Sequence, residues 1–326
     1  MMFGIRKKFA YFECLSCRCV QISEYPKDMR TYYPPNYYSY DAACSSAEQP
    51  LSALLKRGKH RARQTMLRWS RTARRHYLSA SSTQRWLRSR PVIAIYLDRL
   101  EDPDARILDV GCGTGALLKD LNDFYYRNVT GADPFIAADV YHRGRLLVHK
   151  ASLHDLRTTY DCISLHHALE HMPNQAQVLT DARNLLAPGG VLLVRIPVAG
   201  SQAWRTYQEN WVQLDAPRHF YLHSRRSIAL LAESTRLTVE SISYDSTGFQ
   251  FWGSELYCRD IPLTDPRSPM VSDSSIFSRQ DLAEYESRAA DLNAAGDGDQ
   301  ILAVLRRNED TATPVMATAA AGSNTC

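Results

Sequence analysis

From Arg106 onward, short apolar runs alternate with helix-length segments: RILDV, VTGAD, RLLVHK, YDCISLHH and GGVLLVRIP. Apolar runs of this kind are strands buried on both faces, and helices between them must cover those faces. The rhythm therefore predicts a Rossmann-like, doubly wound, mostly parallel α/β sheet. Pro188-Gly189-Gly190 ends a helix that begins near Asn174 and turns the chain into a strand over 191–196. A helix over 224–234 and a strand over 237–244 follow, then the aromatic segment TGFQFWGSELYCRDIPL.

The first strand runs into Asp109-Val-Gly111-Cys-Gly113-Thr-Gly115, and a helix opens near Ala116. Glycines at this turn let backbone approach a ligand without a Cβ collision. After the second strand comes Asp133, placed to accept hydrogen bonds from a ribose diol. A dinucleotide loop of the GxGxxG type needs glycine at 116, where this chain has Ala116, so a nicotinamide dehydrogenase is disfavoured. The GxGxG form with Asp109 just ahead points to S-adenosylmethionine (SAM).

On these residues the chain resembles the class I SAM-dependent methyltransferases over about 106–244. The carrying motifs are ILDVGCGTG, GADP, YDCISLHHALEH and LLAPGGVLLVRIP. LDAPRHFYLHS, GFQFWGSELYCRDI and LNAAGDGDQ are similar to bacterial members tied to surface-glycan or small-metabolite modification. The resemblance implies that Asp109, Gly111, Gly113 and Gly115 line the methionine part of SAM. It also implies that Asp133 holds the ribose, that Leu153 flanks the adenine and that His166 borders the cofactor. Methyl transfer to a hydroxyl of a glycan or small metabolite is the expected activity, with a non-catalytic SAM binder or a metal-assisted transferase as the alternatives.

His166, His167, Glu170 and His171 crowd the carboxyl end of the fourth strand, where open α/β sheets bind ligands. The HALEH spacing matches a zinc-protease motif, but Pro173 interrupts the helix that motif needs. No metal ligand is assigned. A divalent ion gathered by His167, Glu170 and His171, a catalytic histidine and purely structural histidines all stay open. Residues 199–223 add Trp204, Tyr207, Trp211, Phe220 and Tyr221 beside Asp215, Arg218 and His219. Such an insertion can fold over the cofactor cleft as a lid, or its aromatics can merely pack it to the body. His219 is the expected base toward an acceptor hydroxyl, kept neutral by Arg218, and His167 is the runner-up.

The 326 residues divide into a cysteine- and tyrosine-rich module (1–50), a basic helical linker (51–90), the methyltransferase domain (91–310) and a disordered tail (311–326). Hydrophobic residues make up 44% and charged residues 23%, which excludes a disordered chain as a whole. Eight scattered cysteines read as reduced thiols in a cytoplasmic compartment. Cys14-x-x-Cys17, with Cys19 and Cys44, resembles the second half of a zinc module found in related methyltransferases, without an upstream CxxC. The linker holds 12 Lys or Arg and no acidic residue, while the other residues hold 27 basic against 35 acidic. Its apolar face predicts packing on the domain. Peripheral contact with an anionic membrane is the alternative, and nucleic acid is not expected.

Overall fold

The computed structural model describes residues 2–33, 71–88 and 90–308, with positions 62, 65 and 66 between them. The tyrosine-rich stretch beyond Tyr33, Cys44, 18 of the 40 residues of the basic linker, and the expected tail lie outside the described residues, and the membrane reading of the linker stays an expectation.

In chain order the strands are Tyr11–Glu13 (β1), Val20–Ile22 (β2), Arg106–Val110 (β3), Asn128–Ala132 (β4), Val140–His142 (β5), Arg145–His149 (β6), Tyr160–His166 (β7), Leu186–Pro197 (β8), Tyr221–Leu222 (β9), Leu237–Tyr244 (β10) and Gln300–Arg307 (β11). The helices are Arg71–Ser79 (α1), Ser81–Arg88 (α2), Pro91–Arg99 (α3), Ala116–Phe124 (α4), Gln175–Leu185 (α5), Gln202–Tyr207 (α6), Arg225–Ser234 (α7), Phe249–Cys258 (α8) and Arg279–Ala295 (α9). No described helix is long and apolar enough to cross a membrane.

The main sheet runs β10-β11-β8-β7-β3-β4-β6-β5. Its centre, β8-β7-β3-β4-β6, is parallel throughout and contains the five runs singled out in the sequence. Alternate side chains of these strands feed two cores. Leu108, Ile163, Leu165, Leu192 and Val194 pack on one face. Ile107, Cys162, Val191 and Leu193 pack on the other. Each such side chain contributes about 1.5 to 3 kcal/mol through burial, which is why the core-facing positions of these runs are mostly apolar.

Two strands break the parallel pattern. β11 lies antiparallel between β8 and β10, and β5 pairs antiparallel with β6 at the far edge. Nothing in the sequence reading anticipated β11 or α9, although ILAVL within β11 is a short apolar run that is fully buried. β8 also starts earlier than expected, at Leu186, because Pro188-Gly189-Gly190 forms an irregularity in its pairing with β7 rather than a separate turn.

The chain places β4 and β6 on one side of β3 and β7 and β8 on the other. This reversal opens a crevice beyond the carboxyl ends of β3 and β7, the usual ligand site of such sheets. A small second sheet, β1-β2-β9, fastens the amino-terminal segment to the 199–223 insertion.

Candidate active site

The glycine loop leaves β3 in a conformation that side chains resist. Gly111, Gly113 and Gly115 have φ of +72°, +55° and +80°, all left-handed. A Cβ on Gly111 would stand 2.7 Å from Ala168 Cβ, and one on Gly115 would stand 2.6 Å from Val148 Cγ2. The loop thus presses on the turn after β7 and on β6, and Gly115 caps α4 at its amino end.

Two carboxylates frame this loop. Asp133 at the end of β4 is buried, and its oxygens accept from the backbone N–H of Gly113 at 2.9 Å and of Phe135 at 2.8 Å. An ionised carboxylate offers about four acceptor positions, so both oxygens retain capacity toward a diol. Asp109 is also buried. Its carboxyl is pushed up to about 7 by burial, with the Asp133 charge adding and the 2.8 Å hydrogen bond from Ser164 opposing.

Behind Asp109 runs a buried polar chain absent from the sequence reading. The Tyr96 hydroxyl donates to Ser164 Oγ at 2.8 Å and lies 2.9 Å from His166 Nε2. Burial first, then Arg195 and His167, hold His166 down to about 3, so its ring is neutral. Its Nδ1 is buried and meets no protein partner. Ser164 carried a faint signal as the lone hydroxyl within CISL. Tyr96, on a helix before the first sheet strand, carried none. Leu153 is buried at the start of a short 3-10 turn after β6, where it joins Leu108, Val110 and Ala132 in the core.

These features fit SAM. The loop has the bare backbone a ligand can approach, Asp133 has capacity for a diol, and His166 Nδ1 is an orphaned acceptor at the strand end.

The histidines divide sharply. His167 Nε2 accepts from Arg195 Nη1 at 2.9 Å, so its lone pair is taken, and its Nδ1 lies 3.4 Å from Glu170 Oε1. His219, from the insertion, meets His171 edge to face with ring centroids 4.7 Å apart. Both rings use Nδ1 on a backbone carbonyl: His171 on Arg218 at 2.9 Å and His219 on Gln213 at 2.6 Å. Glu170 lies beside them, wholly buried. Burial works to raise its carboxyl, but His167, His171 and His219 hold it down to about 2. One ligand atom each of Glu170, His171 and His219 lie within 4.8 Å of one another. The grouping weighed from sequence had His167 in place of His219.

Arg218 is held by partners within the protein. Its guanidinium pairs with Asp215 through Nε at 2.8 Å and reaches the Tyr32 carbonyl at 3.3 Å. His219 is held down to about 4 by burial first and by His171 second, so burial and not Arg218 keeps it neutral.

The insertion's aromatics serve mainly to anchor it. Trp211 is fully buried, donates to Asp299 Oδ2 at 2.9 Å and packs edge to face on Trp204. The Phe220 N–H donates to the Glu170 carbonyl at 2.8 Å, pinning the insertion to the turn after β7. Cys14, Cys17 and Cys19 form the β1–β2 turn with free thiols, and among the described residues they do not converge as a metal group.

The fold and this loop define a class I SAM-dependent methyltransferase. A family model described as a methyltransferase domain matches residues 56–242, and the chain belongs to that family. It is similar to a trans-aconitate 2-methyltransferase of Deinococcus radiodurans, 30% identical over 30% of this chain and 40% of the relative. It is also similar to one of Variovorax paradoxus, 34% identical over 34% of this chain and 45% of the relative. The chain thus spans less than half the length of the curated relatives it matches. Among solved structures, a mycolic acid cyclopropane synthase complexed with SAH is 19% identical, with a TM-score of 0.45, covering 67% of this chain and 83% of that one.

Proposed function

We propose that the protein transfers a methyl group from SAM to an oxygen of a small metabolite or glycan. The carrying observation is the left-handed glycine loop pressed between two buried carboxylates at the sheet's switch point. SAM supplies a methyl on a positive sulfur; an acceptor lone pair forms the O–C bond, the C–S pair returns to sulfur, and the hydroxyl proton leaves to a base. Gly111, Gly113 and Gly115 give the backbone close approach, Asp133 holds the ribose, and Asp109 and His166 border the methionine end. Leu153 closes the apolar side toward the adenine. His219 is the base, since its Nε2 keeps a lone pair while Nδ1 is spent on Gln213.

A second reading, favoured by the similarity to trans-aconitate methyltransferases, gives the acceptor oxygen to a carboxylate, which needs no base. The six free cysteines among the described residues suit a reducing compartment such as the cytoplasm. Incubation with methyl-labelled SAM and separate pools of hydroxylated metabolites, glycans and polycarboxylates tests the proposal. Labelled ether supports the first reading and labelled ester the second. No label in any pool, with SAM bound, leaves a binder without catalysis.

A further inference from the structure

We infer that Glu170, His171 and His219 form a site for one divalent ion of the zinc type, between the turn after β7 and the 199–223 insertion. Among the described residues, this is the group of three potential ligands whose atoms converge within 4.8 Å.

Hydrogen bonding prepares both imidazoles. A carbonyl oxygen only accepts, so the bonds to Arg218 and Gln213 require the proton on Nδ1 of His171 and of His219. Each Nε2 is left with its lone pair. Backbone carbonyls orient metal-binding histidines in this way. The Tyr33 hydroxyl, 3.2 Å from His171 Nδ1, adds to the same restraint.

The carboxylate is the second, independent observation. Glu170 is fully buried, yet neither oxygen receives a hydrogen bond from a protein donor. Its contact with His167 Nδ1, at 3.4 Å, lies outside hydrogen-bond geometry. A buried carboxylate without donors demands positive charge close by. Asp215 sharpens this demand, because its Oδ2 stands 3.8 Å from the His219 Nε2 lone pair. Arg218 answers the Asp215 charge but not that of Glu170. Apart from the distant His167 Nδ1–H, acceptors therefore face acceptors, an arrangement that a divalent cation completes.

Two imidazoles and one carboxylate suit zinc and its neighbours rather than magnesium or calcium, which prefer oxygen alone. Zinc takes such ligands at about 2.0 to 2.2 Å, which sets the ligand atoms about 3.3 Å apart in a tetrahedron. The trio must close by about 1 to 1.5 Å, within reach of side-chain rotation. Three protein ligands leave a fourth position open for oxygen. The contact of Gly111 with Ala168 sets this turn directly against the glycine loop, so an open position facing the crevice would meet the acceptor. That role rests on the methyl-transfer reading, whereas the site itself does not. A bound ion would take the lone pair that the preceding reading gives His219 as base, and would lower the pKa of a hydroxyl in the open position so that its proton passes to water.

The test is titration of chelator-treated full-length protein with Zn(II) by competition with a chromophoric chelator, and with Co(II) by absorption. The expected result is one tight equivalent that survives in a Cys14→Ser/Cys17→Ser variant, with a Co(II) spectrum free of thiolate charge transfer. Glu170→Gln should weaken Zn(II) by at least about a hundredfold, since even indirect supports of a metal site are worth 10- to 100-fold. If Glu170→Gln does not fold, His171→Ala is read in its place, and the wild-type spectrum still decides. No tight equivalent, or one lost with the cysteines, overturns the site. SAH calorimetry on the same protein separates the readings: metal bound without SAH refutes the cofactor assignment alone, and SAH bound without metal refutes this inference alone.

Discussion

Replacing Asp133 tests the cofactor assignment most directly, because the same carboxylate organises the loop and faces the expected ribose. It accepts from Gly113 N–H at 2.9 Å and Phe135 N–H at 2.8 Å while almost wholly buried. A hydrogen bond to a charged group is worth about 1.5 to 3 kcal/mol. Asp133→Ala removes two, so unfolding stability should fall by about 3 to 6 kcal/mol, less whatever entering water restores. Against a total of about 5 to 15 kcal/mol, the variant should still fold at low temperature. Loss of a ribose-facing bond of the same kind should weaken SAM and SAH by about 10- to 150-fold, at about 1.4 kcal/mol per factor of ten. Asp133→Asn keeps one acceptor oxygen and should fall between. Urea unfolding reads the first quantity and titration calorimetry the second, with NAD expected to give no competition. A folded Asp133→Ala protein with wild-type SAM affinity would refute the ribose assignment, and an unchanged urea midpoint would refute the loop argument.

Gly115→Ala should cost about 2 to 5 kcal/mol in urea unfolding, combining about 1 to 2 for the left-handed conformation with about 1 to 3 for overlap on Val148; a loss below about 1 would show the loop relaxes freely. Tyr96→Phe leaves buried Ser164 and half-buried His166 short of a partner and should lower stability by about 1 to 3 kcal/mol in thermal unfolding, and a neutral outcome would mean that these hydrogen bonds add nothing net to stability. Burial holds His223 down to about 4, between Ser227 Oγ and Gln175 Oε1. Its folded pKa lies below the unfolded value, so its contribution is complete above about 6.5 and is lost as pH falls toward 4, by up to about 1.4 kcal/mol per pH unit. The raised Asp109 and Asp299 carboxyls act in the opposite sense, losing stability as pH rises through about 7 and about 6. His223 must therefore be followed singly by ring NMR, and protonation near 6.5 in the folded protein would contradict its burial.

The five parallel strands, the glycine loop, Asp133 and the start of α4 at Ala116 were legible in the sequence, because each is dictated within a few neighbouring residues. A doubly buried strand must be apolar at most positions, a left-handed turn selects glycine, and the acid after the second strand sits at a spacing set by one strand-helix-strand unit. What joins distant residues was not. β11 enters the sheet beside β8, more than a hundred residues earlier, and β1-β2 closes on β9 across two hundred. Arg218 was expected to keep His219 neutral, but the fold sets its guanidinium against Asp215 and Tyr32 and leaves that effect to burial. His219 likewise joined Glu170 and His171 only when the insertion docked. Which lone pair remains available on a histidine depends on the carbonyl that meets its other nitrogen. That choice is made by tertiary packing, because neither the residue nor its neighbours in the chain carry the partner.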